Sequence, residues 1–305
     1  MKTRVDKPVD RSLWRHLYPY KSHFIEHRGL RYHYLDEGSG EPVLMVHGNP
    51  TWSFYFRSLV DALSPGYRTI VPDHIGCGLS DKPGLDRYDF RLKSRIEDLA
   101  HLVAHLDLRR KLTLVLHDWG GVIGLAAALR RPEQIGRLVI LNTAAFAPPA
   151  GKRLPWRLRI IRNVPGLARP AVLGGNLFVR AALRMAPRRR LAPAVRAGLA
   201  APYNCRHNRL ATLMFVRDIP LGPADPSYGA VDFVDKNLHR LGGLPVLICW
   251  GAHDFVFDAD YLREWRRRFP DAEVHRLPGA GHYLLEDAPD RIAGLIGRFL
   301  HRHPL

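Results

Sequence analysis

The sequence predicts a doubly wound α/β fold: a mostly parallel sheet with an inserted helical cap. Three observations predict it. Apolar runs of strand length alternate with amphipathic stretches of helical length through the first half of the chain. The same alternation returns after residue 240, and residues 145–240 between them read as containing no such strands.

Taken in order, "RYHYLDEG", "VLMVHG", "RTIVPD", "LTLVLHD" and "RLVILN" read as strands. The later ones lack polar alternation, the pattern of a parallel strand buried on both faces. "RLKSRIEDLAHLVAHL" and "GGVIGLAAALRRP" carry helical spacing between them. After residue 240 come the strand "LPVLICWG", the helix "DADYLREWRRRF", the strand "AEVHRLPG" and a terminal helix near "PDRIAGLIGRFLHR". The middle reads as several short helices broken by proline and glycine. The expected organisation is an N-terminal extension over 1–23, a first core segment over 24–144, a cap over 145–240 and a second core segment over 241–305.

With 305 residues, 46% of them apolar and 25% charged, the chain can bury a sizeable core and is not of the disordered class. "MKTRVDKPVDRSLWRHLYPY" alternates in charge and supplies neither a secretory apolar region nor a lipid anchor, and no window approaches the roughly 18 apolar residues of a spanning helix. Cys77, Cys205 and Cys249 are odd in number and far apart, which argues against a disulfide framework or a CxxC site. A reduced, cytoplasmic setting is expected. The net charge of +17 is concentrated: residues 150–240 hold 17 Lys plus Arg against 4 Asp plus Glu. An arginine-rich solvated surface accounts for it, with a membrane surface or an acidic protein as partners to test. No nucleic-acid motif accompanies the charge, so nucleic acid is not expected.

The chemistry is carried by "LTLVLHDWGGVIGLAAAL". A buried strand runs into Asp118 and a helix follows, with Gly120 and Gly121 allowing close approach, the pattern of a nucleophile elbow. Leu116 stands two positions before the acid, where G-x-S-x-G has glycine. Further along, "LICWGAHDFVFD" places Asp254 just after a strand, and "LPGAGHYLLED" places His282 between the last strand and the last helix, the chain order of a nucleophile–acid–histidine triad. Asp258 is a weaker contender for the acid, and the preceding strand ends in Asn142 rather than an acid.

An aspartate carboxyl group, whose ordinary pKa is about 3.9, is ionised at neutral pH and needs no base to attack. It suits displacement at a saturated carbon. A hydrolytic cycle would then need His282, oriented by Asp254, to activate water against the alkyl ester of Asp118. The backbone N–H of Trp119 and a donor from "VHGNPTWSF" would hold the oxyanion. The Asn49 side-chain amide and the Trp119 indole N–H are the expected leaving-group donors, suited to halide or carboxylate. "HLVAH" lacks the glutamate of a zinc motif, and "PDHIGCGLSDKP" lacks the third glycine of a dinucleotide site, so neither metal nor cofactor is implied.

"HGNPTWSF", "HDWGG", "WGAHD" and "GHYLLED" resemble the haloalkane dehalogenase branch of the α/β-hydrolases from about residue 24 onward. "PDHIGCGLSDKP", "LNTAAF", "FVRDIPLGPADPSY" and "WGAHDFVFD" look more closely like the β-lactone decarboxylases of bacterial long-chain olefin biosynthesis. That resemblance implies conversion of cis-3-alkyl-4-alkyloxetan-2-ones to cis-alkenes and carbon dioxide. It also implies association with other enzymes of the pathway, including the β-lactone synthetase, in a large assembly. The alternatives are a haloalkane dehalogenase, then an epoxide hydrolase, against which Leu116 and Asn49 count although the cap residues Tyr203 and Tyr228 leave it open. A non-catalytic binder is the remaining class.

Overall fold

The computed structural model describes residues 9–108 and 110–305. The first eight residues of the 1–23 extension, which open the segment read as lacking a leader, lie outside the described residues.

Among the described residues, eight strands form one sheet: β1 (His23–His27), β2 (Leu30–Glu37), β3 (Pro42–Val46), β4 (Arg68–Pro72), β5 (Leu112–Asp118), β6 (Ile135–Thr143), β7 (Val246–Gly251) and β8 (Glu273–Leu277). Their spatial order is β1-β2-β4-β3-β5-β6-β7-β8. β1 and β2 run antiparallel to their neighbours, and every pairing from β4 to β8 is parallel. The seven strands expected from the sequence are present. β1 is additional; only Ile25 of "HFIEH" is buried, which leaves too little apolar signal to mark a strand.

The unalternating runs have a direct cause. Leu114 and Leu116 of β5 enter one apolar cluster while Val115 enters another on the opposite face, and Leu138, Ile140 against Val139, Leu141 of β6 divide in the same way. Each such buried aliphatic side chain contributes about 1.5–3 kcal/mol on leaving water, so both faces demand cover. One face is covered by α2 (Leu92–His105), α3 (Gly120–Ala128) and α10 (Ala259–Arg268); the other by α1 (Arg57–Leu63) and α12 (Pro289–Arg302).

Between β6 and β7 the described residues form helices and no strand: α4 (Trp156–Asn163), α5 (Pro165–Arg169), α6 (Leu177–Met185), α7 (Pro193–Ala200), α8 (Leu210–Arg217) and α9 (Tyr228–Asn237), with short 3-10 and π turns among them. α9 lies against α3, and its Val231 and Val234 join the core. The short helix α11 (Leu284–Asp287) precedes α12. Its buried Asp287 accepts N–H groups from Gly281 at 2.8 Å and from Arg188 and Arg189 at 2.8 and 2.9 Å, tying the loop after α6 to the loop after β8. No helix among the described residues is long and apolar enough to cross a membrane.

Candidate active site

Asp118 ends β5 with φ +51, in the left-handed region that side chains seldom adopt. This sharp turn is what separates strand from helix. The Thr143 hydroxyl donates to the Asp118 carbonyl and fixes the turn against β6. Helix α3 can start at once because it approaches the sheet without side chains: a Cβ at Gly120 would overlap the Val46 carbonyl, and one at Gly121 the Thr143 hydroxyl. Leu116 is accommodated because Gly124 leaves room for it, since a Cβ there would meet the Leu116 Cδ2. Closeness is therefore supplied from the helix side, without a glycine two positions before the elbow.

The loop after β3 passes directly over the Asp118 side chain. A Cβ at Gly48 would overlap the Asp118 Cβ, and the next backbone N–H, that of Asn49, donates to Asp118 Oδ2 at 3.0 Å. His282, in the loop between β8 and α11, faces the same oxygen with Nε2 at 3.6 Å, an ion-pair contact. Its Nδ1 donates to Asp254 Oδ2 at 2.7 Å. All three groups are buried.

Asp254 is immobilised on every side. Its Oδ1 accepts the backbone N–H groups of Val256 and Phe257 at 2.6 and 3.0 Å, and its Oδ2 also accepts from Asn142 Nδ2 at 2.8 Å. Asn142 is anchored in turn, its Oδ1 accepting the Gly251 N–H at 2.6 Å. Asp258, the weaker contender, does other work: it caps α10 by accepting the Asp260 N–H at 3.0 Å and pairs with Lys152.

Charge follows from this geometry. Burial alone would drive His282 neutral, but Asp254 and then Asp118 outweigh it and raise its pKa to about 10. Burial would raise Asp118, yet its contacts with His282, His117 and the Asn49 N–H hold it below the ordinary carboxylate value. The site at neutral pH is thus an imidazolium between two carboxylates. His117 is different: burial and the adjacent His282 push it down to about 3. It is neutral, so its Nε2, 2.9 Å from the His282 carbonyl, carries the proton and donates there.

A cavity of about 500 Å³ opens on this cluster; Asn49, Asp118, Trp119 and His282 line it beneath apolar residues from the helical segment. One Asn49 side-chain N–H is already given to the Thr212 carbonyl at 3.1 Å. The Trp119 ring packs on Phe215 at 5.3 Å, and its indole N–H makes no hydrogen bond among the described residues. Tyr203 is buried elsewhere, with its hydroxyl 3.4 Å from the Thr51 carbonyl, and neither it nor Tyr228 lines the cavity. The "PDHIGCGLSDKP" loop folds round a carboxylate: Asp73 accepts the N–H groups of Ser53 and Leu79, and a Cβ at Gly78 would overlap it.

Sequence reasoning did not assign Asn142, His117, Thr143 or Arg95. Asn142 was visible as the residue at the end of "ILN", but its task depends on where Asp254 lands. Arg95 is fully buried on α2 with its guanidinium 3.5 Å over the Phe215 ring that Trp119 touches. A single arginine in an amphipathic helix gives no signal of that.

A family model described as the alpha/beta hydrolase fold matches residues 41–289. The chain belongs to this α/β-hydrolase family. Among curated proteins, it is 49% identical to a cis-3-alkyl-4-alkyloxetan-2-one decarboxylase of Shewanella oneidensis, over 93% of this chain and 89% of the relative. A protein of the same description from Xanthomonas campestris pv. campestris is 43% identical, over 91% and 94%. Among solved structures, the haloalkane dehalogenase DatA of Agrobacterium tumefaciens C58 superposes on this α/β-hydrolase with a TM-score of 0.83 at 26% identity, covering 93% and 97%.

Proposed function

We propose that this α/β-hydrolase decarboxylates cis-3,4-dialkyl β-lactones to cis-alkenes, with Asp118 as nucleophile, Asp254 and His282 as its electrostatic partners and Asn49 with Trp119 at the leaving carboxylate. The observation that carries the reading is the identity of 49% and 43% to two decarboxylases of that description over more than nine-tenths of the chain. Residues 145–240 serve as the cap.

In this scheme an Asp118 oxygen attacks the ring carbon that bears oxygen, with inversion. The carbon–oxygen ring bond breaks, giving an alkyl ester of Asp118 and a free carboxylate on the neighbouring carbon. The bond to that carboxylate then breaks and releases carbon dioxide. Its electron pair becomes the alkene π bond as Asp118 departs anti with the ester bond's electrons. Inversion followed by anti departure is net syn elimination, so a cis lactone yields a cis alkene. No water is consumed. The imidazolium of His282 stabilises negative charge at Asp118 at the start and the end of the cycle.

A haloalkane dehalogenase is the second reading, favoured by the DatA superposition. Once Asp118 is esterified its charge is gone, which weakens the hold on the His282 proton and frees the imidazole to activate water. The position of Tyr203 and Tyr228 outside the cavity weighs against an epoxide hydrolase. Purified protein given a cis-dialkyl β-lactone, and separately 1,2-dibromoethane, separates the two: alkene without bromide release supports the decarboxylase, and rapid bromide release without alkene supports the dehalogenase. Cytoplasmic residence and association with other olefin-pathway enzymes belong to the same proposal; the buried free thiols of Cys77 and Cys249 support the former.

A further inference from the structure

The mouth of the catalytic cavity is unusual in being apolar on its outside. Trp156, Ile160, Leu177, Met185, Leu221 and Phe255 all line the cavity, yet each remains between 37% and 62% exposed. They come from α4, α6 and two loops, so they form a rim rather than one helix face. No residue of α4 is buried, although Trp156 and Ile160 stand one turn apart on it.

On the α4 and α6 side of this rim the charge is positive, while Asp225 and Asp258, beside Leu221 and Phe255, are paired with Arg162 and Lys152. Residues 150–217 contain 15 Lys plus Arg and no Asp or Glu. A second depression, about 790 Å³, adjoins the mouth and shares Leu177 and Ala181 with the catalytic cavity; six arginines line it, among them Arg180, Arg184, Arg190 and Arg196. None of these four forms an ion pair among the described residues. Apolar side chains flanked on one side by exposed guanidinium groups match a bilayer interface, where acyl chains lie beneath phosphates.

We propose that the cap docks on an anionic phospholipid bilayer, with the apolar rim among the acyl chains and the arginines on lipid phosphates, so that the cavity opens toward the bilayer. A dialkyl lactone and an alkene would then pass between bilayer and cavity without crossing water. That cargo rests on the proposed decarboxylase function; the docking does not. An acidic protein offers the arginines a partner, but it gives no reason for six exposed apolar side chains to encircle the mouth itself.

The test is co-sedimentation of the full chain with vesicles, in the absence of substrate. Vesicles of equal phosphatidylglycerol and phosphatidylcholine should bind the protein, pure phosphatidylcholine should bind it at least tenfold less, and raising the salt should release it. An Arg180→Glu, Arg184→Glu double variant should lose binding on the order of tenfold or more while turning over a short-chain, water-soluble β-lactone at the wild-type rate. Binding by the double variant equal to wild type would overturn the proposal. So would failure of the wild type to bind either vesicle, which would leave this surface to an acidic protein. A wild type that binds vesicles but makes no alkene refutes the decarboxylase and leaves the docking standing.

Discussion

The imidazole of His282 and the carboxylate of Asp254 are joined by a 2.7 Å hydrogen bond, on the ring nitrogen that faces away from Asp118. With Asp118 at 3.6 Å on the other side, the ring is held as a cation between two anions. The pH dependence of stability should report it. The His282 pKa is raised from an unfolded value near 6.5 to about 10, so its proton contributes fully below pH about 6.5 and the contribution is lost as the pH rises toward 10. Urea unfolding of the wild type across this window should show that loss, and a His282→Gln variant should lack it. A wild-type profile identical to that of the variant would mean the ring is neutral throughout.

Asn142 holds Asp254 through Nδ2 at 2.8 Å while its Oδ1 satisfies the buried Gly251 N–H. Asn142→Ala leaves that donor unpaired, at a cost of about 1–3 kcal/mol. It also frees one side of Asp254, so turnover should fall on the order of tenfold to a hundredfold. Thermal unfolding and steady-state rates check the two effects; an unchanged rate would show that Asp254 needs no support from β6.

Much of this was legible in the chain. β3, β5, β6 and β7 are buried on both faces, so each leaves a continuous apolar run, and strand ends are where an α/β sheet exposes functional side chains. Asp118 and His282 stand next to such ends in the required order, and the structure brings them together. What sequence could not reach depends on contacts between distant segments. Asn142 reads as a missing acid until the β7 loop is folded beside it. Position just after the strand favours Asp254 over Asp258, but only the folded loop shows that Asp258 caps α10. β1 leaves no trace because it is an edge strand with a single buried side chain.

Asp287 should prove as important to the site as residues that line it. Its carboxylate accepts backbone N–H groups from Gly281, Arg188 and Arg189, linking the loop that carries His282 to the segment after α6. Asp287→Asn replaces one acceptor oxygen with a donor facing N–H groups. We expect a loss of about 2–3 kcal/mol from the weakened charged hydrogen bonds and faster amide exchange in residues 186–189 and 279–283. Calorimetry and hydrogen exchange read these. Unaltered exchange in both segments would show that the carboxylate does not couple them.

Everything in the mechanism returns to a covalent bond between Asp118 and a saturated carbon of the substrate. Gas chromatography of the products from a pure cis-3,4-dialkyl β-lactone tests it most directly, comparing wild type with Asp118→Ala. The wild type should give the cis alkene with an equal amount of carbon dioxide, and the variant should give none above the uncatalysed background. Alkene formation by the variant, or a trans alkene from the wild type, would contradict the account.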